Sequence, residues 1–123
     1  MSLLPVAFED RMKLTLGNEW NAFTQALQTT APTSIRINPF KNHVAAGEQV
    51  PWSTLGVYLS ERPKFTLDPV FHAGAYYVQE ASSMFLEQAF RRATDLTKKL
   101  RVLDVSASPG GKSTHILSLL NHE

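Results

Sequence analysis

Gly110, Gly111 and Lys112 stand where an apolar run ends and a helical pattern begins, a spacing suited to holding an anion. Upstream, Val102-Leu103-Asp104-Val105 is apolar and β-branched, and predicts a buried strand. Ser106-Ala107-Ser108-Pro109 supplies small residues and a breaker. Downstream, Ile116-Leu117-Ser118-Leu119-Leu120 predicts a helix. Strand, glycine turn and helix make half of a βαβ unit, with the helix's unpaired N–H groups aimed at whatever lies above the strand end. Gly110 and Gly111 lack a Cβ, so a ligand can approach the backbone closely and positive φ is open to them. Lys112 in the first turn opposes the helix dipole, which favours acids there. A bound anion, or a carboxylate such as Asp104, would balance it.

Two ligand chemistries fit this turn. The first is a nucleotide phosphate. The pattern G-x-x-x-x-G-K-[ST] is nearly met by Ser106 to Ser113, with Gly111, Lys112 and Ser113 in register. Ser106 replaces the opening Gly, however, and Pro109 removes an N–H that should face phosphate. The second is S-adenosylmethionine, whose methionine carboxylate needs only one or two N–H groups. A third reading is a structural turn with no ligand.

The same residues resemble the first motif of the RNA (cytosine-5)-methyltransferases of the NOL/NOP/Sun family, V-L-D-[LM]-C-A-A-P-G-G-K-[ST]-[TS]-H. Asp104, Ala107, Pro109, Gly110, Gly111, Lys112 and His115 match. Ser106 stands for the usual Cys and Ser108 for the usual Ala, and both are small. The Cys at that point of the family motif is not the nucleophile. The resemblance implies a Rossmann-like domain that binds S-adenosylmethionine through Ser106, Ala107, Ser108, Pro109, Gly110, Gly111 and Lys112, mostly by backbone groups.

Other stretches carry the resemblance further. Ser34-Ile35-Arg36-Ile37-Asn38-Pro39 resembles a recurring N-terminal segment, [ST]-x-R-[IV]-N-[PT]. Pro51-Trp52, Gly56-Val57-Tyr58-Leu59 and Arg62-Pro63 resemble the bacterial, ribosomal-RNA branch. Gly74-Ala75-Tyr76-Tyr77-Val78-Gln79-Glu80-Ala81-Ser82-Ser83 resembles G-x-[YF]-[YF]-x-Q-[ED]-x-[SA]-[SA], which precedes the family's cofactor domain. The implied reaction methylates carbon 5 of a cytosine in RNA, after a Cys thiolate adds to carbon 6. A thiolate is available near neutral pH where a serine alkoxide is not. This sequence contains no Cys. Either the nucleophile lies beyond Glu123, which is the expectation, or the protein is a non-catalytic RNA-binding or assembly module; this chain alone is expected to be inactive.

Composition bounds the remaining possibilities. The 123 residues can hold one ordinary domain, and 43% hydrophobic residues suit a globular protein. A net charge of +1 gives no global basic field to attract nucleic acid. Without Cys there can be no disulfide and no Cys-ligated zinc, and no second His or acid is spaced to make His72 a metal ligand. No run reaches transmembrane length and the start is not a signal peptide. The expectation is a soluble cytoplasmic protein.

The elements that must position the turn read as follows. Pro5 opens a helix with Phe8, Met12 and Leu16 on one stripe, stopped by Gly17. Asn18 is a candidate cap for a second helix carrying Trp20, Phe23 and Leu27, so a helical hairpin is expected, with Trp20 and Phe23 as core rather than base-stacking residues. In the strand from Ser34 to Asn38, Ile35 and Ile37 point inward and Arg36 outward, either solvated or on a phosphate. Lys41 to Gln49 reads as a surface loop, Gly56 to Leu59 and Phe65 to Leu67 as short strands, and Ala75 to Val78 as another. Trp52 and Tyr58 read as packing residues, and His72 as a surface or turn residue. A helix from about Ala81 to Arg92 is marked by Met84, Phe85, Ala89 and Phe90. Gln79 before it either reaches a cofactor pocket or caps backbone. Arg91, Arg92, Lys98, Lys99 and Arg101 are a solvated helix end or an RNA contact.

The expected fold class is mixed α/β. Residues 1–67 form an α+β accessory or RNA-binding domain. Residues 68–123 hold the linker motif and the opening strand, loop and helix of a Rossmann-like domain. The strand neighbours that would bury Val102, Leu103 and Val105, and the acid that normally holds an adenosine ribose, are missing from the sequence. The chain thus reads as the N-terminal portion of a longer protein, its open sheet edge free to pair with the rest of that protein or a second chain.

Overall fold

The computed structural model describes residues 4–120, which divide between Ala31 and Pro32 into two compact units. The first unit is the expected pair of helices, α1 (Val6–Leu16) and α2 (Trp20–Ala26). Gly17 ends α1 at φ 52°, a left-handed value suited to Gly. Phe8, Met12, Leu16, Trp20 and Phe23 are half-buried along one side. The Phe8 and Phe23 rings lie 6.4 Å apart, and those of Trp20 and Phe23 lie 6.0 Å apart. Asn18 is not a cap. It lies inside a 3₁₀ turn, Gly17–Glu19, whose helical backbone runs directly into α2 and leaves no extended residue for side-chain capping. Leu27 falls just past α2 and is exposed.

The second unit is built on a four-stranded antiparallel sheet. Its strands are β1 (Thr33–Ile37), β2 (Glu48–Gln49), β3 (Gly56–Leu59) and β4 (Tyr76–Val78), in the order β2-β3-β1-β4. Ile35 faces Val57 on one side and Val78 on the other, while Arg36 faces Gly56 and Tyr77. The sheet therefore takes β1 to β3 from before residue 67 and β4 from after it.

Side chains alternate across the sheet. One face carries Ile35, Ala75 and Tyr76, with Val57, Leu59, Phe65, Phe71 and Val78 around them. The Tyr76 hydroxyl donates to Asp68; burial and this bond push its pKa up to about 12. Phe65–Leu67 is a 3₁₀ turn and not the expected strand. Pro63 and Asp68-Pro69 bracket it too closely for a ladder, and the Asp68 carboxylate caps the short helix α3 (Pro69–His72) by accepting from Val70 N–H at 2.8 Å.

The other face carries a second cluster, Val50, Ala81 and Met84, flanked by Trp52 and Tyr58. Trp52 Nε1 donates to the Ala81 carbonyl at 2.6 Å, so both aromatics do pack as expected. A Cβ on Gly56 would lie 2.6 Å from Met84 Sδ and 2.8 Å from Val50 Cβ, so only Gly fits there.

The segment after β4 starts as a 3₁₀ turn, Ala81–Phe85, and continues as α4 (Leu86–Ala93). Its buried line is Ala81, Met84 and Glu87, at spacing three; Phe85 is 58% exposed and Ala89 is exposed. The expected apolar side fails because the first turn winds at three residues per turn. The last helix, α5 (Gly111–Leu119), begins at the glycine turn and lies on this same face, against β1, β4 and α4.

Candidate functional site

The glycine turn and α5 form as the sequence predicts, but the strand before them does not. Val102 to Val105 takes up no regular structure, and Leu103 and Val105 are 86% and 88% exposed. A parallel strand needs neighbours to complete its ladder and bury its faces, and no described strand runs beside this one. What stands is a mixed α/β unit with an antiparallel sheet and flanking helices.

Gly110 caps α5 at φ 105°, ψ 0°, and a Cβ there would meet nothing nearer than Thr114 Cγ2 at 4.0 Å. Ser106, Ala107, Ser108 and Pro109 are exposed, and the Ser108–Pro109 peptide is cis. The first bond of α5 runs from Thr114 N–H to Gly110 O, 2.9 Å. The N–H groups of Gly111, Lys112 and Ser113 thus precede the ladder and point out of the helix. Asp104 braces the loop by accepting from Ser113 Oγ at 2.7 Å and from Ser106 N–H at 2.9 Å. These bonds, Ser113's first, hold its carboxyl below the usual carboxylate range, with the Lys112 charge a smaller contribution. Lys112 is exposed and makes no ion pair among the described residues.

Behind the turn lies a buried polar cluster that sequence reading does not find. Arg36 is only 3% exposed and neither meets solvent nor offers itself to a phosphate. Its Nε donates to Gln79 Oε1 at 2.9 Å, its Nη2 to Thr114 Oγ1 at 2.6 Å, and its guanidinium lies 5.8 Å from the Tyr77 ring centre. Burial lowers its pKa, while Tyr77 and Glu87 oppose that shift. The Gln79 side chain therefore serves Arg36 rather than capping local backbone groups. The Gln79 carbonyl accepts from Ser34 Oγ at 2.6 Å.

Glu87 is fully buried. It accepts from Ser53 Oγ at 3.0 Å, Thr54 N–H at 3.0 Å, Thr54 Oγ1 at 2.9 Å and Arg91 Nε at 2.9 Å. His115 Nε2 lies 3.3 Å from the same carboxylate. Burial pushes the Glu87 pKa up, but these bonds outweigh it and hold the group ionised. Burial, with Arg36, lowers the pKa of His115 against the pull of Glu87. Position 115 was visible only as the last residue of the family motif, and Glu87 gave no signal, being an acid in a segment read by its apolar residues.

A cavity of about 250 Å³ opens beside this cluster, between Arg36, Asn38, Phe40, Tyr77, Thr114 and Leu117. Asn38 is engaged there with Gly74 O at 2.8 Å and Phe40 N–H at 3.0 Å. In the basic run, Arg91 is held by Glu87 and Lys98 by Asp95 at 3.5 Å. Arg92, Lys99 and Arg101 are exposed. His72 is exposed as expected, with Nε2 2.9 Å from Thr66 O. No described helix is long and apolar enough to cross a membrane.

Comparison with known proteins agrees with the motif resemblance. Residues 4–81 match the family described as the N-terminal domain of 16S rRNA methyltransferase RsmF. The ribosomal RNA small subunit methyltransferase F of Cronobacter sakazakii is 34% identical over 137 aligned positions, covering 98% of this chain and 28% of that protein. The Pectobacterium atrosepticum protein of the same name is 32% identical over 98% of this chain and 28% of its own length. That of Aeromonas hydrophila is 33% identical over 73% of this chain and 22% of its own. The chain thus spans little more than a quarter of the curated relatives it matches, and it belongs to the RsmF N-terminal domain family, within the NOL/NOP/Sun methyltransferases.

Proposed function

We propose that this chain is the N-terminal part of an S-adenosylmethionine-dependent RNA (cytosine-5)-methyltransferase acting on ribosomal RNA. The family match carries the reading. On it, residues 1–67 serve as the accessory, RNA-facing part, and residues 68–123 as the linker motif and opening of the cofactor domain. Ser106, Ala107, Ser108, Pro109, Gly110, Gly111 and Lys112 receive the methionine end of the cofactor.

The residues fit that end of the group. The N–H groups of Gly111, Lys112 and Ser113 supply donors for a carboxylate, and the open side of Gly110 leaves room for close approach. Lys112 adds a positive charge at the loop's rim. The described residues supply no wall for an adenosine. The cofactor, when bound, supplies the methyl group. This chain holds one end of it and keeps that end oriented. It contributes no thiolate, since it contains no Cys, so the nucleophile must come from the remainder of the enzyme. Within the basic run, Arg92, Lys99 and Arg101 are exposed and add to the cations of residues 1–67, such as the exposed Lys41, Arg62 and Lys64, that would face an RNA backbone.

The test is calorimetric titration of a protein of the relatives' full length carrying this segment. S-adenosylmethionine should bind, and Gly110→Ala should weaken it at least tenfold, because a Cβ at φ 105° strains the turn. Binding of magnesium-ATP in its place would reassign the turn to nucleotide phosphates. Silence toward both, from folded protein, would remove the cofactor reading.

A further inference from the structure

The most buried side of α5 carries polar anchors. Its one fully buried side chain is His115, and Leu117 is 49% exposed. Apolar packing is non-directional, whereas hydrogen bonds restrict both distance and angle. Two adjacent residues of α5 make the decisive bonds, and they reach two different walls. Thr114 meets Arg36 of β1, and His115 meets Glu87 of α4. The Thr114 hydroxyl also donates to the Gly110 carbonyl at 2.8 Å. Arg36 is therefore joined to the glycine turn by a chain of two hydrogen bonds through one hydroxyl. Both anchors are fixed from behind, Arg36 by Gln79, and Glu87 by Ser53, Thr54 and Arg91.

We propose that Arg36 and Glu87 are positioning residues, which seat α5 through Thr114 and His115 and so set the direction of the Gly110–Gly111 turn. The use of that direction, to present N–H groups to the cofactor, rests on the function proposed above; the seat itself does not. Each anchor acts through a residue of α5.

Amide hydrogen exchange on the 123-residue chain tests the seat without any ligand. Thr114→Val keeps the side-chain shape and removes the hydroxyl. It should speed exchange of the α5 amides from 114 to 119 at least tenfold. The amides of Ile37 in β1 and of Asn38 just after it, bonded to Leu55 O and Ala75 O at 2.8 and 2.9 Å, should be unaffected. Glu87→Gln, which removes the charge but keeps an acceptor, should do the same to a smaller degree, and Thr114→Ser should restore protection. Unchanged α5 exchange in both variants overturns the proposal. So does equal acceleration in α5 and β1, which would make these bonds general support. A separate titration with S-adenosylmethionine on the full-length protein should show at least tenfold weaker binding for Thr114→Val. Silence of the unsubstituted protein there overturns the cofactor reading, while the exchange result still decides the seat.

Discussion

His115 is buried with its Nδ1 unpaired, so the imidazole is neutral and donates through Nε2 to Glu87. Protonation would place an unsatisfied N–H in the interior beside Arg36. The direction of the resulting pH dependence is fixed. The folded pKa of His115 lies below the ordinary 6.5, so the unfolded chain binds more protons just below that value. Its contribution is complete above about pH 6.5 and is lost as pH falls. Glu87 and Asp104 are also held below their ordinary values, so their contributions are lost at still lower pH. Thermal unfolding followed by circular dichroism should show a Tm that is level at pH 7–8 and falls below about 6.5. His115→Gln should abolish the first part of that fall and keep the more acidic part. An identical profile for the variant would contradict a buried neutral His. Of these residues the sequence showed Asp104 and His115, through their places in the motif. It misplaced Arg36, because alternation tells which face of β1 the side chain takes and not whether a later helix covers that face.

At the scale of elements, local signals read well wherever local physics decides. α1 stops at Gly17, and β1, β3 and β4 sit where alternation and turn residues put them. The failures have two kinds of cause, a missing neighbour and a local winding that differs from the template. Residues 102–105 have strand chemistry but no neighbour to complete a ladder. The line Ala81, Met84 and Glu87 is hidden from a 3.6-residue template because the segment starts as a 3₁₀ turn. β3 and the 3₁₀ turn meet at Gly56, where Val50 is rigid and Met84 can yield only in part. Gly56→Ala should therefore cost about 1–3 kcal/mol of stability through overpacking, read from urea unfolding with an unchanged m-value. A loss below about 0.5 kcal/mol would mean that this cluster is looser than its distances imply.

For the molecule as a whole, charge and composition excluded more than they identified, since a net charge of +1 is silent about which partner is met. Family membership was legible because the motifs are short and their residues contiguous. The polar cluster was not, because its members come from residues 36, 53, 54, 79, 87, 91, 114 and 115 and meet only in the folded sheet. The two anchors of α5, Arg36 and Glu87, lie N-terminal to it, and the Arg36–Thr114 bond spans 78 residues. The seat has no need of the helix for its own bonds to Gln79, Ser53, Thr54 and Arg91. A chain ending at residue 100 should keep the amide protection of Ile37 and Asn38 at the end of β1, and loss of that protection would show that α5 is part of the seat. The order of synthesis then matters. On a ribosome the sheet and α4 emerge first and can close around Arg36 and Glu87. The glycine turn and its helix follow, and dock late onto a finished surface, so the loop takes its orientation from a template already folded.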